Sequence, residues 1–271
     1  SSDKRRPTIR LRLRALDVRA HRSLACAAKA CCGDRAYNHA GGLRPCIHTN
    51  VMDIEKGSQM LRGVRIENMA LSRGERALFQ GLYAKLDAGE AVALAGANGA
   101  GKTSLLRTVA GFIKPDEGGG FFDGADGEME PEDARRQHVH LLGHLEGLKA
   151  TRTARQELAF QCRYLGGDEA RAELAVQRLK LEPLLDLETR KLSAGQKRRL
   201  SFARLLSAPR SLWLLDEPLA PLDDVWRAAV ADIMTEHLAE GGMILAAVHD
   251  PLPFACRLLD LGQLPDLEGR G

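Results

Sequence analysis

No stretch of 18 apolar residues occurs in this 271-residue chain, so a membrane-spanning helix is not expected and any membrane role falls to a partner. No segment repeats at a fixed period, which leaves out solenoids and propellers. Net charge is also small, +3 overall, yet residues 1–59 alone hold 12 Lys/Arg against 5 Asp/Glu. The remainder is therefore mildly acidic, which argues against nucleic acid as its main ligand. Standard zinc spacing is missing too: Cys26, the adjacent Cys31 and Cys32, and Cys46 sit at irregular gaps. Cys162 and Cys256 stand apart in the core sequence, a pattern that suits a reduced, cytosolic compartment.

Residues 1–59 lack any sustained helical or strand period and lack the apolar core of a secretory signal. They are expected to be a disordered or mis-assigned extension, with translation starting at Met60 or Met52. Organised sequence begins at Met60, where apolar and polar residues alternate. Two antiparallel strands are expected at 61–71 and 77–87, followed by strand 91–96 and a helix from Lys102 to Gly111. Pro115 and the Gly118–Gly120 run read as a turn into a short strand, FFDG. Strand 138–144, a helix-rich stretch at 151–207, strand 211–217, a helix near 224–239 and strand 243–249 follow.

The most informative stretch is GANGAGKTS, comprising Gly96, Ala97, Asn98, Gly99, Ala100, Gly101, Lys102, Thr103 and Ser104. It matches the phosphate-binding pattern G-x-x-x-x-G-K-[ST] at every fixed position. Glycines let consecutive N–H groups turn toward phosphate oxygens. Lys102 then reaches the terminal phosphates, and the Thr103 hydroxyl is a ligand for Mg²⁺. An apolar strand before the loop and a helix after it complete the pattern, which implies binding of a nucleoside triphosphate.

Downstream, the apolar strand SLWLLDE delivers Asp216 and Glu217 together. Its continuous apolar run suits a central parallel strand with carboxylates at its carboxyl end. Asp216 is the candidate Mg²⁺ ligand and Glu217 the candidate general base for water. The stretch LSAGQKRRLSFARLL places Ser193 as a helix N-cap, with Leu200, Phe202, Ala203 and Leu206 on an apolar face.

These residues together resemble the ABC-type ATPases, whose signature motif LSAGQ matches. The resemblance implies an α/β fold: a P-loop NTPase of the ABC ATPase type, with a mixed sheet core, an antiparallel β subdomain and a helical subdomain at about 146–207, all within 60–268. It implies that two copies pair head to tail, so that Ser193, Ala194, Gly195 and Gln196 of one act in trans on the γ-phosphate held by the other. A helix N-terminus offers the positive dipole needed there. APLD, from Ala220 to Asp223, resembles the dimer-contact loop, with Pro221 in place of a small residue. His249 resembles the switch histidine that supports the water beside Glu217, so Glu217, His249 and Lys102 form the expected catalytic set.

Two positions depart from the family. The matched position of its coupling glutamine is Leu145, with His144 and Glu146 as nearby substitutes and Gln137 too far along an extended segment. No aromatic falls where adenine normally stacks; Leu71 or Arg73 lies there instead, and an arginine plane can stack.

Within the class, GHLEGLKATRTARQEL, Gly143 to Leu158, resembles the haem-exporter ATPase of cytochrome c maturation, the CcmA family. CRLLDLG, Cys256 to Gly262, resembles its ending. The implied protein is peripheral, on the cytoplasmic face of the inner membrane, bound to integral membrane subunits and using ATP and Mg²⁺. The alternatives are an ABC exporter ATPase with another substrate, a soluble non-transport ABC ATPase, or a small-metabolite kinase. His138, His140 and His144 read as structural rather than as haem ligands.

Overall fold

The computed structural model describes residues 60–263. The basic extension with Cys26, Cys31, Cys32 and Cys46, and the expected domain limit at 268, lie outside the described residues. Two sheets carry the fold. Strands β1 (Gly63–Arg73), β2 (Arg76–Asp87), β4 (Glu117–Gly124) and β5 (Gly127–Met129) form an antiparallel sheet ordered β2-β1-β4-β5. Strands β3 (Ala91–Ala95), β6 (Val139–Leu142), β7 (Leu212–Asp216), β8 (Met243–Ala247) and β9 (Arg257–Asp260) form a second sheet ordered β6-β7-β8-β3-β9, parallel throughout.

The parallel sheet is buried on both faces, which is why its central strands are apolar without interruption. Alternation along each strand sorts the side chains. Ala91, Ala93, Trp213, Leu215, Ile244 and Ala246 face one core, shared with helices α3 (Ala154–Tyr164), α4 (Glu169–Arg178), α5 (Ala194–Ser207) and α6 (Asp224–Ala239). Val92, Leu94, Leu212, Leu214, Met243 and Leu245 face the other, shared with α1 (Lys102–Val109) and the antiparallel sheet.

Two expectations need correction, and one element goes beyond them. Gly118–Gly120 belong to strand β4, not to a turn. A Cβ on Gly118 would stand 2.1 Å from the Glu67 carbonyl oxygen, so close pairing against β1 demands glycine there. The strand expected at 138–144 is shorter. His138 closes helix α2 (Pro131–His138), whose start is set by proline in the first turn and Glu132 and Asp133 beside it. The added element is β9, which follows the strand expected at 243–249 and pairs with β3.

Candidate functional site

Three neighbouring strands, β7, β8 and β3, release their chains into one cleft of about 200 Å³. Strand β3 leads into the glycine loop. Gly96, Gly99 and Gly101 adopt φ of 132°, 84° and 98°, where a Cβ is disfavoured. A Cβ on Gly101 would also lie 3.1 Å from the Phe79 ring and 3.2 Å from Leu78 Cβ, so the loop packs tightly on β2. Gly101 caps α1 with no side-chain hydrogen bond, which leaves the first amides of the helix for an anion. Lys102 is 8 % exposed, and its Nζ donates to the carbonyl oxygens of Gly96 at 2.6 Å and Ala97 at 3.4 Å.

Strand β7 carries the carboxylates. Asp216 is buried and accepts a 3.0 Å hydrogen bond at Oδ2 from the Thr103 hydroxyl. Glu217 follows at φ 48°, a left-handed conformation unusual for a residue with a Cβ. Its N–H donates to the Ala247 carbonyl at 2.9 Å, which stitches the turn after β7 to β8. His249, just beyond β8, places Nε2 3.0 Å from Glu217 Oε1. A Mg²⁺ ion fits this chemistry: Asp216 and Thr103 offer two hard oxygen donors at hydrogen-bond distance, few enough to leave positions for phosphate and water.

Every loop residue from Ala97 to Ser104 lines the cleft, with Asp216, Glu217 and His249 opposite. Arg73 and Leu78 complete its wall. Leu71 does not: it is 3 % exposed within the core, opposite Phe79 in the β1–β2 register, so of the two positions weighed for stacking only Arg73 reaches the cleft. Leu78 was missed from the sequence, although its place beside Phe79 on a strand leading toward the loop is the available signal.

Ser193, Ala194, Gly195 and Gln196 lie elsewhere, at the start of α5, and none lines the cleft. Ser193 Oγ accepts from the Gln196 N–H, while the Gln196 side chain accepts from the Ser193 N–H, a capping box. Ser193 and Ala194 are exposed. Gly195 lets the Pro221 loop approach, since a Cβ there would meet the Pro221 carbonyl oxygen at 2.9 Å.

The remaining candidates separate cleanly. His140 is buried with Nε2 2.6 Å from the Ala208 carbonyl, and burial pushes it down to about 3. His138 is buried, whereas His144 is exposed. Leu145 is 83 % exposed, and Gln137 sits exposed on α2. Glu146 instead turns inward, toward Arg198. Among the described residues, no cluster of three or more His, Cys, Asp or Glu is spaced for a metal.

A strand-to-loop-to-helix phosphate cradle, an Asp-Glu pair and a following histidine in one cleft define a P-loop ATPase site. Residues 79–220 match the family model described as ABC transporter, and the chain belongs to that family. Solved structures share the fold. They include an ABC transporter ATP-binding protein from Pyrococcus furiosus (TM-score 0.64, 19 % identity, 74 % of this chain and 98 % of that one). Another is a dimeric post-hydrolysis ATP-binding cassette bound to ADP and Pi (TM-score 0.64, 20 % identity, 73 % and 95 %).

Closer relatives narrow the class. The chain is 47 % identical over 191 residues to the cytochrome c biogenesis ATP-binding export protein CcmA of Nitrobacter winogradskyi, covering 70 % of this chain and 93 % of the relative. It is 44 % identical over 190 residues to the protein of the same name from Rhodopseudomonas palustris, with the same coverage. The chain is therefore a member of the CcmA family of ABC ATPases. No helix among the described residues is long and apolar enough to cross a membrane.

Proposed function

We propose that this chain is the ATP-hydrolysing subunit of an export complex in cytochrome c biogenesis, with haem as the substrate it helps move or release. The observation that carries the ATPase chemistry is the convergence of Lys102, Thr103, Asp216, Glu217 and His249 on one cleft. The substrate reading rests on the relatives' name and on the Gly143–Leu158 segment. Residues 60–268 form the ATPase domain, with its helical subdomain at about 146–207.

In this reading, the amides from Gly96 to Ser104 and the Lys102 ammonium bind the phosphate chain. Thr103 and Asp216 hold Mg²⁺, which supplies charge neutralisation when bound. Glu217 takes a proton from the attacking water, and His249 fixes the carboxylate from 3.0 Å away. The Ser193–Gln196 start of α5, exposed at Ser193 and Ala194, completes the site of a second copy, so hydrolysis requires a dimer. The dimer docks on integral membrane subunits at the cytoplasmic face of the inner membrane.

The test is genetic and biochemical together. Deleting the gene should abolish c-type cytochromes, and only the parent sequence, not Glu217→Gln, should restore them. Normal cytochrome c after deletion overturns the haem reading, and rescue by Glu217→Gln overturns the role of Glu217.

A further inference from the structure

Behind the site lies a ladder of arginines. Arg210 Nη1 donates to the Val139 carbonyl at 2.7 Å, Arg204 Nη2 to that of Leu141 at 3.0 Å, and Arg198 Nη1 to that of Gly143 at 3.3 Å. Their acceptors are alternate carbonyls along β6 and its exit, and β6 is an edge strand of the parallel sheet. An edge strand exposes backbone acceptors that need donors once they are covered. Arg198 and Arg204 are six residues apart on α5, about 9 Å along a helix, and Arg210 follows beyond the helix end. Acceptors recur every second residue, about 6.6 Å along a strand. Long guanidinium arms absorb the difference.

Arg198 differs from the other two. It is 2 % exposed, whereas Arg204 and Arg210 are half-buried; its Nε, like that of Arg204, has no hydrogen-bond partner among the described residues. Among the described residues its one ion-pair contact is Glu146 Oε1, 3.8 Å from Nε, beyond hydrogen-bonding range. Burial disfavours its charged form, while the charges of Glu146, Asp216 and Glu217 favour it. It belongs to the same helix that begins at Ser193 and reaches the loop that follows β6. In that loop Leu145 turns out at 83 % exposed, while the Glu146 side chain is 16 % exposed. Burying a guanidinium is costly, and of the three arginines Arg198 is the one whose compensating carboxylate, Glu146, sits in this loop.

We propose that Arg198 is a positioning residue that couples the loop Gly143–Glu146 to helix α5, so that displacement of the loop shifts Ser193–Gln196 against the phosphates held by a second copy. The proposal rests on the composite-site reading above. If the loop moves, Glu146 and the Gly143 carbonyl move with it, and Arg198 is left buried without partners unless α5 follows. Loop and helix therefore travel together. Leu145 supplies no polar group for this link; Glu146 does.

The experiment uses the full chain carrying Glu217→Gln, with Mg²⁺-ATP, and measures two quantities. One is ATP affinity of the monomer, by titration with a fluorescent ATP analogue. The other is the dimer dissociation constant, by sedimentation over a protein concentration series. Arg198→Gln and Glu146→Gln should each raise the dimer constant about tenfold and leave ATP affinity unchanged, with the double variant no worse than either, as for residues acting through one contact. Arg198→Lys should recover part of the loss. Arg204, which has no carboxylate within ion-pair distance among the described residues, is the control: Arg204→Gln should lower the melting temperature without changing the dimer constant. If Arg198→Gln fails to fold, Glu146→Gln carries the test. Normal dimerisation by the variants, or additive losses, overturns the proposal alone. A parent that stays monomeric with ATP overturns the composite-site reading and the proposal with it.

Discussion

Glu217 is held at φ 48°, and that conformation has a measurable cost. A left-handed residue with a Cβ is destabilised by roughly 1–2 kcal/mol. Replacing Glu217 by alanine removes the carboxylate and its contact with His249 but keeps the strain. Replacing it by glycine removes the same groups and the strain together. Glycine forfeits about 0.4–1 kcal/mol through its freer unfolded chain. The net advantage of Glu217→Gly over Glu217→Ala is then about 0.8 kcal/mol, the difference between the midpoints of those two ranges. The lost contact cancels in this comparison, and at side-chain exposures of 49 % and 27 % it is weak in any case. For a domain of this size the gain corresponds to a melting temperature higher by about 1–4 °C. Both variants should lose hydrolysis by about 10²–10⁴-fold, the usual contribution of a general base. Thermal unfolding followed by circular dichroism and phosphate release at saturating ATP read the two effects. A glycine variant no more stable than the alanine variant refutes the strain, and near-parental turnover in either refutes the base.

Other consequences are as direct. Arg73→Ala should weaken ATP binding about 3–10-fold through lost stacking, while competition by tripolyphosphate, which has no base, stays unchanged; equal losses for both would remove Arg73 from the adenine contact. Gly118→Ala should cost at least 2 kcal/mol in urea unfolding, because its Cβ collides with backbone rather than with a mobile side chain. Gly120→Ala, with nothing within 4 Å, should cost far less, and equal losses would contradict the packing argument. Burial pushes His140 down to about 3 and His237 down to about 4, from an ordinary 6.5. Protons then bind the unfolded chain more readily, so stability present above pH 6.5 should fall steadily toward pH 4 and below. A flat urea midpoint between pH 7 and pH 4.5 would contradict that burial.

The sequence disclosed the site better than its surroundings. The glycine loop, Asp216, Glu217 and His249 follow strands with uninterrupted apolar runs, so local pattern and chemistry pointed the same way. The Ser193 N-cap was equally visible, while its reciprocal bond with Gln196 emerged only from the structure. What stayed hidden depends on distant contacts. The glycines of β4 look like a turn until β1 is seen pressing on Gly118. Strand β9 is short and partly exposed, and only its pairing with β3 makes it a strand. Leu71 and Arg73 lie two residues apart on one strand, yet one fills the core and the other lines the cleft. The arginine ladder was unreadable because it joins residues 55 to 71 positions apart.

The loop-bearing strand β3 is flanked by β8 and β9, the last two strands of the described residues. During synthesis, the phosphate-loop sequence therefore leaves the ribosome long before its walls do. A nascent chain ending before β8 has Lys102 and Asp216 but neither His249 nor the strand that joins β7 to β3. Closure of the cleft by His249 is thus a late event, which waits on synthesis through β8.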